Sequence, residues 1–168
     1  TGFGHALGQG FTSWNKGGGN PVLQTGDSGE WDDDRIFAPT ILYDDQEGYY
    51  KMWYSGQDAT GTWRIGYANL PSLSAGEWEK TDDNPVLEPG GPGEWDEQGV
   101  RSPVVIKEQI LVGGTSVDIP CPHTYTYKMW YAGQDAADVW RIGYATSADG
   151  IDWTKYESNP VLESGVFG

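Results

Sequence analysis

Basic residues, cysteine and long apolar runs are all scarce in this 168-residue chain, and each shortage removes a class of function. Lys and Arg number 10 against 25 Asp and Glu, a formal net charge of −15 at pH 7. Such a surface repels a phosphate backbone, so nucleic acid is not an expected partner. The single cysteine, Cys121, has no second thiol to pair with, which leaves the compartment open between secreted and cytoplasmic. No apolar run approaches the roughly 18 residues of a membrane-spanning helix. No charged-then-apolar leader opens the sequence, so a soluble chain with no membrane partner is expected. Helical periodicity is missing as well: apolar residues nowhere keep a spacing of about 3.6 over the length of a helix.

What the chain does have is glycine (25), proline (10), tyrosine (10) and tryptophan (9), and they recur in a fixed order. Tyr50-Lys51-Met52-Trp53-Tyr54, followed by Gly56-Gln57-Asp58 and then Trp63-Arg64-Ile65-Gly66-Tyr67-Ala68, returns 77 positions later as Tyr127 to Ala145. Asn-Pro-Val-Leu stands at 20–23, 84–87 and 159–162, preceded each time by Trp and Lys: Trp14/Lys16, Trp78/Lys80 and Trp153/Lys155. The segment 3–23 aligns without a gap onto 142–162, so the sequence opens partway through a repeat. A fixed period of this kind organises the whole chain and precedes any local assignment.

Each full repeat runs from Glu-Trp-Asp (30–32, 94–96) through Pro39 or Pro103 with its apolar run, to the aromatic motif and the Asn-Pro-Val-Leu close. The organisation is one domain over 1–168, with a half-repeat at 3–23, a repeat at 31–87 and another at 95–162. Between Pro and the motif Trp the second repeat is longer by 13 residues, an insertion near 107–126 whose Gly, Pro and Thr predict a loop. Within a repeat the segments are short, aromatic or β-branched and bounded by turn formers, which predicts strands at 36–43, 49–55, 63–69 and 77–87 in the first. Asp149-Gly150 adds a hairpin signal, because Gly tolerates the positive φ of a tight turn. Four antiparallel strands per repeat describe a propeller blade or a sandwich of hairpins. The fold class predicted is all-β: a propeller of four-stranded blades, about 2.5 per chain, the half being the outer one.

The motif series resembles the five-bladed propeller superfamily of arabinanases, levansucrases and invertases, and more closely the uncharacterised bacterial repeat proteins at its edge. Its parts are Trp-Asp, Ala-Pro or Ser-Pro, Tyr-Lys-Met-Trp-Tyr, the run Ile142 to Trp153, and Asn-Pro-Val-Leu. The resemblance covers 3–162. It implies a site at the propeller axis, where those glycosidases carry an acid directly before the strand's Pro or two residues before it. One carboxyl protonates the leaving oxygen while a second acts as base or nucleophile. The pairs standing there in this sequence are Phe37-Ala38 and Arg101-Ser102, neither of which can transfer the proton. No catalytic residue is therefore assigned, and no cofactor is implied.

Four residues at strand heads are the candidate substrate-binding positions: Asp34, Arg35, Arg101 and Ser102. Arg101 is suited to a sugar hydroxyl or carboxylate, its alternative being an ion pair with a neighbouring acid. Asp32-Asp33-Asp34 offers oxygen ligands to a hard cation, or forms a solvated loop. Cys121 and His123 are two metal-ligating residues without a second pair, too few for zinc. All nine Trp have repeat partners, which points to packing between blades rather than a sugar platform. No nucleophile elbow or phosphate-cradling glycine loop is present. The expected function is a carbohydrate-associated propeller module without glycosidase chemistry of its own. The alternatives are a furanosidase-like hydrolase with acids on other blades, and a structural or assembly propeller. Unpaired edges recruit partners, and two chains would supply the family's five blades, so the expected partners are a second copy, as a homodimer, and carbohydrate.

Overall fold

The computed structural model describes residues 2–4, 6–8, 14–16, 19–72, 76–111 and 123–165. They form twelve strands: β1 Gly2–Phe3, β2 Ala6–Gly8, β3 Trp14–Lys16, β4 Leu23–Gln24, β5 Arg35–Asp44, β6 Tyr49–Gln57, β7 Trp63–Leu70, β8 Glu79–Lys80, β9 Gly99–Leu111, β10 His123–Gln134, β11 Trp140–Ser147 and β12 Trp153–Lys155. No helix occurs among the described residues. Strands β5 to β8 make one antiparallel meander and β9 to β12 another, joined by a single parallel bridge between Trp63 and Gly99. The pairs β1–β4 and β2–β3 belong to the N-terminal segment. The architecture is part of a β-propeller, two four-stranded blades with an outer fragment before them.

The fourth strand of each blade is shorter than 77–87 predicts. Pro85 has no N–H to give a ladder, and what remains is Glu79–Lys80 with an isolated bridge between Ile65 and Leu87. Asn84 fills the gap: its side chain accepts from Tyr67 N at 2.7 Å and donates to Tyr67 O at 2.9 Å, replacing two ladder bonds. Asn159 does the same for Tyr144 at 2.8 and 2.9 Å. In the inserted segment, β9 and β10 stay paired out to Leu111 and His123, so 107–111 and 123–126 are strand where a loop was expected. The β-branched and aromatic residues Thr124, Tyr125 and Thr126 suit a pleated strand. Cys121 lies outside the described residues.

Glu-Trp-Asp closes each blade from below. Trp31 lies on the bare backbone of Gly56 and Gly66, where a Cβ would stand 2.4 Å from the indole in either case. Asp32 is wholly buried and accepts Tyr54 Oη at 3.0 Å, Lys80 Nζ at 2.7 Å and Gly26 N at 3.2 Å. Blade two repeats this with Trp95 on Gly133 and Gly143, and with Asp96 accepting Tyr131 Oη at 3.4 Å and Lys155 Nζ at 2.7 Å. Satisfying the carboxylate on several sides offsets the cost of burying it.

The two blades share a core of Trp53, Tyr67, Val100, Val105, Tyr127, Met129 and Tyr131. Trp53 Nε1 donates to Gly150 O at 2.7 Å, and Lys51 Nζ donates to Asp149 O and Tyr127 Oη at 2.9 Å each. A further buried carboxylate, Asp44, takes Lys107 Nζ and Tyr127 Oη from blade two and sits 3.5 Å from Lys51 Nζ. Burial opposes its ionisation, but these donors and the backbone N–H groups of Gln46 and Glu47 hold its carboxyl well below the usual aspartate range. On the other side of blade one, Leu23, Ile36, Met52, Tyr54 and Ala68 form a second cluster to which Phe3 and Trp78 add.

Gly66→Ala should therefore destabilise by about 1–3 kcal/mol through overpacking against Trp31, seen as a lower urea midpoint with unchanged slope. Because the folded-state pKa of Asp44 is depressed, its stabilisation is complete above the unfolded value of about 3.9 and declines as pH falls from there towards the folded value. Asp44→Asn should flatten the acid limb of a stability-versus-pH curve in that window; a limb of unchanged steepness would show that Asp44 does not carry it.

Candidate functional site

At the heads of the inner strands β5 and β9 both copies are irregular. Pairing slips between Phe37 and Thr40 on β5, and on β10 between Trp130 and Ala132 opposite the head of β9. Ala38 and Ser102, the residues before the two prolines, take φ values of 50° and 56°. Non-glycine residues pay roughly 1–3 kcal/mol to sit in this left-handed region, and such strain gathers at ligand sites. Blade two's irregular head is tied to blade one by Ser102 N donating to Ser55 Oγ at 2.8 Å and by Thr40 Oγ1 donating to Pro103 O.

Next to this bulge lies Arg101. Its guanidinium stands 3.7 Å from the centre of the Trp140 ring, 5.8 Å from that of Trp63 and 5.9 Å from that of Phe37. Phe37 meets Trp63 edge-on at 4.7 Å between ring centres. Arg101 is half-buried, and desolvation holds its pKa below the ordinary arginine value. Among the described residues no carboxylate pairs with it. The site thus gathers a cation with five donors and three aromatic rings in one place, the means to hold hydroxyls and stack on the C–H face of a ring.

The turns before Trp63 and Trp140 are built by the repeated Asp. Asp58 accepts from Thr60 N at 2.9 Å, Thr62 N at 3.1 Å and Arg64 Nη1 at 2.7 Å, which fixes the strand start that carries Trp63. Burial opposes ionisation of Asp58, yet Arg64, Thr60 and the turn N–H groups bring its carboxyl down to about 2. Asp135 accepts Ala137 N at 2.8 Å, Val139 N at 3.0 Å and Arg141 Nη1 at 2.7 Å in the same way. Shallow clefts of about 390 and 440 Å³ beside these turns are repeat equivalents lined by matching residues.

Of the four expected positions, Arg101 and Ser102 are neighbours in this site, whereas Asp34 and Arg35 form an exposed ion pair of 2.7 Å with each other at the head of β5. Asp33 is engaged by Gly29 N at 2.7 Å and Ala59 N at 2.9 Å, and Asp32 is the buried latch, so the acidic run is spent on structure. Among the described residues no group of three or more His, Cys, Asp or Glu side chains could hold a metal ion. Trp63 and Trp140 were not expected as site residues, and Phe37 only as a position where the two copies differ. The signal for them lay in the position of Phe37, which matches Arg101 in the other copy.

No protein-family model matches the chain, and no curated protein is similar to it at a significant level. Among solved structures, fructan 1-exohydrolase IIa from Cichorium intybus, in complex with 1-kestose, superposes with a TM-score of 0.65 at 19% identity. The match covers 92% of this chain and 26% of the exohydrolase, so the chain spans about a quarter of that protein's length. A thermostable family-43 glycoside hydrolase gives a TM-score of 0.35 at 16% identity, over 80% of this chain and 58% of that one.

Ala38→Gly should raise stability by roughly 0.5–1 kcal/mol, since relief of the left-handed strain exceeds the entropy that glycine adds to the unfolded chain. An unchanged or lower urea midpoint would mean that the bulge is relaxed. The exohydrolase match is a likeness of fold, and the chain is part of a β-propeller in which Arg101, without a carboxylate partner among the described residues, lies on aromatic rings at the inner-strand heads.

Proposed function

We propose that the chain is a carbohydrate-associated propeller module that binds a neutral sugar at Arg101, Trp140, Trp63 and Phe37 and has no glycosidase chemistry of its own. The observation that carries this reading is Arg101: a half-buried cation on an aromatic floor, without a carboxylate partner among the described residues of a chain of net charge −15. An arginine kept for packing alone would cost less beside one of the many acids available. Its planar donors suit vicinal hydroxyls, and the rings beside it suit the apolar face of a pyranose or furanose.

The chemistry of hydrolysis needs a proton donor and a second carboxylate across the bond. At the positions where the resembling family carries acids, directly before the proline or two residues before it, this chain has Phe37-Ala38 and Arg101-Ser102. The second reading, a glycoside hydrolase whose acids stand on other blades, is favoured by the strained bulge before Pro39 and Pro103, a geometry that would present an acid if one were there.

Titration with neutral oligosaccharides, 1-kestose among them, should change the tryptophan fluorescence. Trp140→Ala and Arg101→Ala should each weaken binding about tenfold or more, the equivalent of about 1.4 kcal/mol. Aryl-glycoside hydrolysis measured on the same protein should stay at background. Turnover abolished by one carboxylate substitution would replace the binding module with the hydrolase.

A further inference from the structure

Strand β7 opens with two side chains on opposite faces of the sheet. Trp63 faces Arg101, and Arg64, the next residue along, faces away from it. On the Arg64 side lies the blade-one cleft of about 390 Å³, in which Trp31 and Pro85 are the half-buried apolar members and Ala59, Thr60 and Glu88 the exposed rim. Described chain continues on both sides of 29–33, 58–64 and 85–88, and the cleft stays open within it.

Its polar groups are left without each other. Arg64 Nη1 donates to Asp58 at 2.7 Å, but Nε and Nη2 have no partner among the described residues, although only 21% of the side chain is exposed. Glu88 likewise has no hydrogen bond or ion pair among the described residues. Thr60 Oγ1 donates to Asp58 Oδ1 at 2.6 Å and keeps lone pairs for an incoming hydroxyl. The equivalent cleft on blade two is closed on itself. Arg141 Nε donates to Glu163 at 2.7 Å while its Nη1 holds Asp135 at 2.7 Å, so the counterparts of Arg64 and Glu88 satisfy one another. Ala137 and Val139 stand where blade one has Thr60 and Thr62, which removes both hydroxyls. Trp95 and Pro160 repeat the apolar members, so the copies share a floor and differ in the polar groups offered above it.

We infer that the blade-one cleft is a second, weaker saccharide site: one neutral sugar ring lies on Trp31 and Pro85, Arg64 donates to its hydroxyls, and Glu88 and Thr60 accept from them. Aromatic surface with a few convergent polar groups suits such a ligand, and the shallowness of the cleft, which leaves much of the ring in water, makes it the weaker site. Four carboxylates line it, Glu30, Asp33, Asp58 and Glu88, against one guanidinium, so a phosphate or a uronate is repelled whereas a neutral polyol is not. The choice of ligand rests on the carbohydrate reading above, but the site is separate from Arg101.

Calorimetric titration of the Arg101→Ala protein with neutral oligosaccharides, 1-kestose among them, isolates the cleft and should show one remaining site per chain. Glu88→Ala and Ala59→Trp, both at exposed positions and each made in that background, should weaken it about tenfold or more with an unchanged circular dichroism spectrum. Ala136→Trp, which fills the blade-two cleft, should leave it unchanged. Loss of all saccharide binding on Arg101→Ala alone overturns the cleft and leaves the Arg101 reading standing. Binding that ignores Arg101→Ala but is lost with Ala59→Trp supports the cleft and removes the Arg101 site instead. Binding indifferent to both cleft variants, or lost equally with Ala136→Trp, overturns the inference. A wild-type protein that binds none of these sugars overturns it together with the reading on which its ligand rests.

Discussion

A tryptophan laid on naked backbone sets the geometry of each blade. Trp31 occupies the volume that side chains at Gly56 and Gly66 would need, and it can stay there because the next residue, Asp32, is anchored by Tyr54, Lys80 and Gly26. The two glycines lie on adjacent strands, β6 and β7, so one indole clamps the middle of the sheet and the carboxylate ties in the fourth strand through Lys80. Removing any one partner leaves a buried charge or a buried void, and both are costly. This explains why the repeat conserves, between its own copies, residues far apart along the chain: Glu-Trp-Asp, the glycines, the motif Tyr and the late Lys are parts of one contact.

Once each blade has that fixed thickness, its other face can be flat enough to pack. Trp53 and Lys51 lie on the side away from Trp31 and reach the Asp149–Gly150 turn of blade two. Gly150 has a φ of 88° there, and a Cβ would stand 2.8 Å from the Trp53 ring. The buried Asp44 is compensated from both blades at once, so the interface is specified by charge as well as by shape. A blade shifted by one residue would separate Asp44 from Tyr127 and Lys107 and leave it uncompensated, which fixes the register of the stack.

The repeat made most of this readable in advance. Strand number, order and approximate limits follow from short aromatic segments between turn residues, and the structure alters them where a side chain substitutes for backbone, as Asn84 and Asn159 do at the fourth strand. The flanks of the inserted segment, 107–111 and 123–126, are strand although its composition predicts a loop, because their antiparallel pairing depends on a partner strand that composition does not register. The site was less readable. Arg101 could be singled out because it differs from its repeat partner Phe37, but its neighbours Trp63 and Trp140 recur faithfully and so looked like packing.

Recurrence is thus a filter with a known blind spot. It identifies residues that every blade needs, but a repeated residue meets a unique neighbour wherever the adjacent blade differs. Trp140 has an arginine above it, whereas Trp63 has Phe37 at 4.7 Å on one side and Arg101 of the next blade at 5.8 Å on the other. One non-repeated residue therefore brings two repeated tryptophans into the candidate site. The same reasoning applies to Trp53 and Trp130, identical in kind and position yet sealed in one case and open in the other. In a molecule built from copies, the surroundings of a residue are set by the pairing of a copy with its neighbour, and neither member of the pair discloses them alone.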